Sequence, residues 1–460
     1  MTTERLPHKG RLLAVLLMGP FMAQADATIA NVATPSIRAD LGASGAALEL
    51  VVGGYMIAFA VLLITGARLG QTHGYRRIFV VGVAAFTAAS ILCGVAPTPA
   101  ALVAARVVQG AGAALMFPQT LTGIQLVFEG AERARAIGLY ALALSSGAVA
   151  GQIAGGGLIS LDVLGVGWRA IFLVNAPIGA AVIVAALRYL PADDARAARE
   201  VDVRGVATLS AAIVLVVLPL VLGRGEGWPA WTWVSLAASV PALATFVAIE
   251  RRIAARGGAP LMNVGVIARP TISRSLAALL MATGTYYALL FTLAQYLQQG
   301  LGRSPFLSGV TLVPWVASFG AAGQLVRRLP ARLRPLVPSA GCALLATSYV
   351  AISAALFDGR HGEVLLLVVL AAGGLGLGIQ FSGLIAHLSN AVPPRYAPDI
   401  SGVSTTLMQI GGTVGVAAFG TLYLGLAASG ATHAFAVVTG ALAGAALLAC
   451  GAAYSARPKW

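Results

Sequence analysis

Apolar residues fall in fourteen long runs. Each is long enough for a helix to cross a bilayer, which takes about 20 residues. The runs cover 12–34, 47–67, 78–96, 100–125, 135–160, 169–190, 204–222, 231–249, 273–298, 306–326, 336–356, 364–388, 401–427 and 433–454. The pattern predicts an all-α integral membrane protein with 14 transmembrane helices, since backbone groups in lipid must be satisfied within their own segment. The runs are rich in Gly and Ala, which let backbones approach closely where hydrophobicity cannot drive packing.

The polar positions gather between the runs, and their charge is uneven. Of the 30 Lys and Arg, all but Arg38, Arg106, Arg169, Arg224, Arg303 and Arg360 fall on one side of the predicted spans. The positive-inside rule puts that side, and both ends of the chain, in the cytoplasm. Spans 1–6 and 9–14 read as equivalent halves, each with a basic loop after its second span, Arg68–Arg77 and Arg327–Arg334. The expected organisation is a six-helix half over 1–200, an inserted transmembrane hairpin (spans 7 and 8) over 201–255, and a second six-helix half over 256–460. The hairpin's outer loop carries Trp228 and Trp231, as interfacial loops do.

Composition agrees with lipid as the solvent. Hydrophobic residues make up 58% of the chain and charged residues only 10%, against about 25% charged in a soluble domain. The net charge of +14 would suit nucleic acid if it were clustered on a polar domain. Here it sits in short loops, so no nucleic-acid partner is expected. Cys93, Cys342 and Cys450 lie far apart inside apolar runs, and the five histidines form no metal-binding pair, so no metal or cofactor is expected. Ala23-Gln24-Ala25 resembles a signal-peptide cleavage site, but the apolar pattern continues to Val32, and a retained span is expected. The excess of Arg and Ala over Lys suggests a GC-rich bacterial genome, hence a bacterial inner membrane.

Charge within a span is expensive and usually functional. Asp26 stands about fourteen residues into span 1, roughly 21 Å from the cytoplasmic face at 1.5 Å per residue. Arg106 stands about six residues into span 4 from the outer face, roughly 9 Å down. In a hydrocarbon core of about 30 Å these depths coincide, so an ion pair across spans 1 and 4 is possible. Read structurally it is a brace; read functionally, Asp26 binds and releases a proton and Arg106 sets its affinity. Glu49, at the rim of span 2, is the rival carboxylate. Polar and aromatic residues gather in span 9, where Tyr287, Phe291 and Gln295 share a helix face. With Gln24, Tyr55, Phe117, Gln152, Trp315, Gln380, Phe381 and Gln409 they are the candidate lining of an amphipathic substrate cavity.

Asp26-Ala27-Thr28-Ile29-Ala30-Asn31-Val32-Ala33-Thr34-Pro35 resembles the first-span signature of the fourteen-span drug:proton antiporters of the major facilitator superfamily. The segment from Gly66 to Arg77, with Arg68, Gln71, Gly74, Arg76 and Arg77, resembles the superfamily's loop between spans 2 and 3. Arg106, Gln109, Gly110, Gly112 and Ala114 resemble its span 4 motif, and Gly147, Gly151, Gly155 and Gly156 its antiporter motif in span 5. Trp168 and Arg169 with Phe172, Asn175, Pro177 and Gly179 resemble the start of span 6; Ser304, Pro305, Gly309 and Pro314 resemble span 10. The resemblance implies a major-facilitator-like fold and a set of conformational motifs, with the arginines of the span 2–3 loop latching helix ends and the span 5 glycines sealing a helix contact. Two positions depart from it. Gln71 stands where an acidic residue is usual, and Gln152 stands where a proline is usual, so a polar side chain replaces a kink.

The expected function is secondary active export of small amphipathic compounds or antibiotics in exchange for protons. Small molecules, protons and the lipid bilayer are its partners, and the chain acts as a monomer. Neither lysine lies in a nucleotide-binding loop, and no catalytic constellation is visible, so no enzyme activity is expected. The alternatives are a proton-coupled importer or uniporter of a small metabolite and, from another class, a non-transporting membrane sensor.

Overall fold

A computed structural model of the chain describes residues 9–162, 165–192, 203–223, 225–256, 258, 263–357, 363–392, 397–427 and 430–457. Fourteen helices among them are long and apolar enough to cross a membrane, here spans 1 to 14. They are Lys9–Thr34, Leu50–His73, Tyr75–Gly94, Pro99–Val127, Gly130–Ile159, Gly167–Tyr189, Arg204–Leu222, Ala230–Ala255, Pro270–Gly300, Leu307–Arg328, Arg332–Phe357, Glu363–Leu388, Gly402–Ala427 and Ala431–Ser455. The protein is an all-helical membrane protein, and its fourteen spans are those the apolar runs predict.

Local chemistry sets the helix ends. Ser44 caps span 2 by accepting from Ala47 N at 3.2 Å, and Thr98 caps span 4 by accepting from Ala101 N at 3.2 Å. Pro99 follows Thr98 in the first turn, where a missing N–H removes no helical bond. Gly74, at φ +93°, turns span 2 directly into span 3 in a conformation other residues resist.

The packing partners repeat along the chain. Span 1 packs on span 5, span 2 on span 4, and span 3 on spans 4 and 6. In the same order, span 9 packs on span 13, span 10 on span 12, and span 11 on spans 12 and 14. Glycine sets two of these contacts. A Cβ at Gly151 of span 5 would sit 2.2 Å from the Ala25 carbonyl oxygen of span 1. A Cβ at Gly415 of span 13 would sit 2.1 Å from the Gly284 carbonyl oxygen of span 9. Between the two sets, span 5 lies along span 10, with Gly138 against Gly323, Leu142 against Gly320 and Ile153 against Gly309. Span 2 lies against span 13.

Span 7 packs on spans 2 and 13, whereas span 8 rests mainly on span 7 and is the least buried of the fourteen. Span 8 also runs past its predicted end at 249, to Ala255. It carries Glu250 beyond the apolar run, and that carboxylate-bearing residue is buried rather than free in a loop. Hydropathy ended the run at the first charge, while the helix continues as far as its backbone bonds do.

Candidate functional site

Asp26 and Arg106 meet, with both side chains fully buried. Arg106 Nη1 donates to Asp26 Oδ2 and, at 2.7 Å, to Gln109 Oε1; its Nε donates to the Val51 carbonyl at 2.9 Å. The other carboxylate oxygen, Oδ1, accepts from Gln109 Nε2 at 2.7 Å and from Asn175 Nδ2 at 3.3 Å. Both amides also donate to Ser90 Oγ, at 3.1 and 3.0 Å, and Ser90 donates to the Phe172 carbonyl. Asp26, on span 1, is thus held by spans 3, 4 and 6 in a buried network. Such a pair is tolerable in an apolar interior only because nearly every polar atom is matched. Arg106 Nη2 is the exception, buried without a hydrogen-bond partner.

Gln24 and Asp26 are two residues apart, so about 200° separates them around a helix of 3.6 residues per turn. Asp26 faces spans 3, 4 and 6, and Gln24 faces the second set of spans. Gln24 Nε2 donates to the Tyr287 hydroxyl of span 9, which donates to Gln409 Oε1 of span 13 at 3.4 Å. This amide–phenol–amide bridge crosses the middle of the molecule. Asp26 is not part of it.

Tyr55 links the two. Its ring lies against the Arg106 guanidinium, 4.4 Å from the ring centroid, and its hydroxyl donates to the Ala23 carbonyl at 2.9 Å, next to Gln24. Tyr55, expected as cavity lining, is wholly buried and packs on Arg106. Phe117 and Phe381 flank Tyr140 in an aromatic run that starts at Tyr55 and passes through Phe59. Trp315 is stacked between Tyr286 and Tyr349 inside the second set, not facing the bridge. Gln380 is buried, with its amide nitrogen unpartnered. Gln152 and Gln295 are half-buried, each with an unpartnered amide oxygen. Phe291, half-buried, lies one turn beyond Tyr287. The candidate cavity residues therefore divide: Gln24, Tyr287 and Gln409 are bonded together, Tyr55 touches the chain beside Gln24, and among the described residues no hydrogen bond joins the others to that bridge.

Of the motif residues, Gln71 accepts from Arg68 Nη1 at 2.7 Å, one turn back on its own helix. Arg76 donates to the Leu187 carbonyl at 2.7 Å, reaching the last turn of span 6, where carbonyls lack helical partners. Arg77 is exposed and Gly74 forms the turn. Gly110 brings span 4 against span 2, where a Cβ would be 2.3 Å from the Tyr55 carbonyl oxygen. Gly147 and Gly155 continue the Gly151 contact with span 1; Gly156 is half-buried beside them. The side chains of Glu49, Asn31, Pro35 and Asp399 lie outside the described residues. Among the described residues no three His, Cys, Asp or Glu side chains come together as a metal site.

Sequence reasoning missed Ser90, and it read Asn175 and Gln109 only as motif positions, not as partners of Asp26. A neutral polar residue in a span is common enough to carry little signal alone. Tyr140 was missed for the same reason.

With this geometry, the chain matches the model of the Major Facilitator Superfamily over residues 16–416 and belongs to that family. It is 40% identical to the "Probable actinorhodin transporter" of Streptomyces coelicolor, over 91% of this chain and 73% of the relative. It is 34% identical to the "Tetracenomycin C resistance and export protein" of Streptomyces glaucescens, over 89% and 75%. A third relative, the cephamycin export protein of Amycolatopsis lactamdurans, is 34% identical over 86% and 81%. Among solved structures, the proton:xylose symporter XylE superposes with a TM-score of 0.65 at 11% identity, over 95% of this chain and 94% of that one. A human organic anion transporter gives 0.65 at 14%, over 97% and 100%. These two likenesses concern the fold alone.

Proposed function

We propose that the protein is a secondary exporter of small amphipathic, antibiotic-like compounds, driven by protons entering through alternating access. The observation that carries this reading is a fully buried Asp26–Arg106 pair joined through Tyr55 to the Gln24–Tyr287–Gln409 bridge. The names of the three curated relatives, each a transporter or exporter of an antibiotic, support the substrate class.

In this reading spans 1–6 and 9–14 move as two halves, and the hairpin of spans 7 and 8 stays outside the substrate path. The basic side faces the cytoplasm of a bacterial cell, and the protein works in its inner membrane as a monomer. A proton on Asp26 removes the charge that Arg106 balances. Arg106 keeps the Val51 carbonyl, Gln109 Oε1 and the Tyr55 ring, so it stays anchored while Gln109 Nε2 and Asn175 lose a charged acceptor. Tyr55 carries the change to Ala23 and Gln24, and the bridge between the halves loosens. Substrate then meets neutral amides, a phenol and aromatic rings, which suit uncharged or monocationic amphipaths. The potential contributes roughly 2.3 kcal/mol per charge per 100 mV.

Substrate-induced proton release from the purified protein tests the reading. Wild type should release protons on addition of an exported antibiotic, Asp26→Asn should not, and Glu49→Gln should behave as wild type. Undiminished release from Asp26→Asn would overturn the assignment.

A further inference from the structure

At the end of the bundle where span 1 begins, a cavity of about 590 Å³ opens between the ends of spans 5, 9, 10, 11, 12 and 14. It shares no described lining residue with the Gln24–Tyr287–Gln409 bridge, and no described residue of spans 1, 2, 4 and 7 lines it. Four arginines from three stretches of chain line it: Arg133 of span 5, Arg327 and Arg334 on either side of the turn between spans 10 and 11, and Arg457 after span 14. No Asp or Glu is among its described lining residues. Arg327 and Arg334 make no hydrogen bond or ion pair with any described residue. His387, also in the lining, has a buried Nε2 with no partner. The floor is apolar, with Val337, Pro338 and Leu384.

Other basic residues at this end are already engaged. Lys9 pairs with Glu132 at 2.8 Å, Arg68 donates to Gln71, and Arg76 caps span 6. Of the cavity's arginines, Arg133 donates to the Phe128 and Gln125 carbonyls and Arg457 to the Tyr454 carbonyl, whereas Arg327 and Arg334 are bonded to no described residue and remain available to an anion. Planar guanidinium groups from several directions suit a phosphate, which accepts paired hydrogen bonds from each, and an apolar floor suits a carbon chain attached to it.

We propose that this cavity binds a phosphate-bearing anion, held chiefly by Arg327 and Arg334 and reached by Arg133 from the opposite wall. Because Gly130, Ala131, Arg133 and Ile137 belong to span 5 and the other described lining residues to spans 9–12 and 14 and the residues just after spans 12 and 14, the bound anion clamps span 5 to span 10. It does so beside the close contact of Gly138 with Gly323, whose ideal Cβ positions lie 3.3–3.7 Å from the facing Cα. The clamp is independent of what the protein exports. Phosphate can arrive as the headgroup of an anionic phospholipid or as a free ion, and the experiment separates them.

The full chain is placed in phosphatidylcholine nanodiscs, in nanodiscs containing phosphatidylglycerol, and in phosphatidylcholine nanodiscs with added inorganic phosphate. Thermal unfolding and native mass spectrometry of retained lipid are the readouts. Wild type should unfold at a higher temperature in the second or third condition than in the first; a rise in the second with retained phosphatidylglycerol identifies the headgroup, and a rise in the third alone identifies the free ion. Arg327→Gln with Arg334→Gln should lose the rise, and ligand retention should fall roughly tenfold or more, since a charge-assisted bond is worth about 1.5–3 kcal/mol. Arg328→Gln with Arg332→Gln removes the same charge from the same end outside the lining, and should keep the rise. No rise for wild type in either condition, or equal loss in both double variants, would overturn the proposal.

Discussion

Around Asp26, spans 1, 3, 4 and 6 are held by charge: one ion pair, amides on the free carboxylate oxygen, and a hydroxyl beneath them. Around Trp315, spans 9 to 12 are held by shape. Its ring stacks on Tyr286 and Tyr349 at 6.0 and 6.3 Å between centroids, Gly373 leaves the space the ring fills, and Gly374 lets span 12 approach the Trp315 backbone. Among the described side chains, no Asp, Glu, Lys or Arg is buried in spans 9–14. The two interiors respond to different inputs. A proton can rewrite the first, because its bonds depend on a charge; nothing at ordinary pH alters the second. In the proposed exporter, one switchable core beside one fixed core would need only one carboxylate to couple the parts.

The largest break of this contrast should come from Arg106→Leu. It leaves Asp26 buried and uncompensated, which costs about 3–5 kcal/mol. Thermal unfolding should show a large loss, and adding Asp26→Asn should restore much of it, because both charges are then gone. Equal losses in the single and double variants would mean that the network does not act as a unit.

Next, Trp315→Ala should cost about 3 kcal/mol, at the lower end for a deleted buried aromatic, because Tyr286 and Tyr349 can close in. Its transport should weaken with no change in pH profile, whereas Asp26→Asn should flatten the profile. A shifted profile in the Trp315 variant would erase the distinction between the cores.

Tyr287→Phe sharpens the comparison where the two interiors meet. It removes the hydroxyl that joins Gln24 to Gln409 and should cost about 0.5–1.5 kcal/mol. Turnover should change more than stability does, read by vesicle uptake alongside thermal unfolding.

The smallest effect belongs to the rim. Asp40 accepts from Trp168 Nε1 at 3.0 Å and from Arg169 at 2.6 Å, and these bonds hold its carboxyl below the usual range. A depressed pKa stabilises the fold above the ordinary carboxylate pKa, and the benefit fades as pH falls through the lowered value. Wild type and Asp40→Asn should therefore differ slightly at neutral pH and converge in acid. A gap that persists in strong acid would assign the contact to packing rather than charge.

The spans were legible because twenty apolar residues have few other uses. Asp26 and Arg106 were legible because charge in lipid demands a partner, and depth along two helices can be counted. What depth does not give is rotation. Gln24 and Asp26 share a level, and only the helix phase in the assembled bundle shows that they face different neighbours. The contact of Tyr55 with Arg106 was hidden for the same reason, since an aromatic ring looks alike whether it lines a cavity or packs on a guanidinium. Trp315 was polar enough to suggest a lining role, but its partners Tyr286 and Tyr349 come from spans 9 and 11, and no local pattern announces that meeting.

Asp26 and Arg106 are 80 residues apart in the chain. Span 1 therefore enters the membrane before its partner has been made. At about 5–20 residues per second, the delay is roughly 4–16 s. Through that interval a lone carboxylate in a span carries about 2.5–3.5 kcal/mol of insertion penalty. Slower translation between codons 26 and 106 lengthens the exposure of the nascent helix to quality control. An Asp26→Asn chain escapes the penalty, so a higher yield of that variant would report how the protein is born, not how firmly the finished bundle holds.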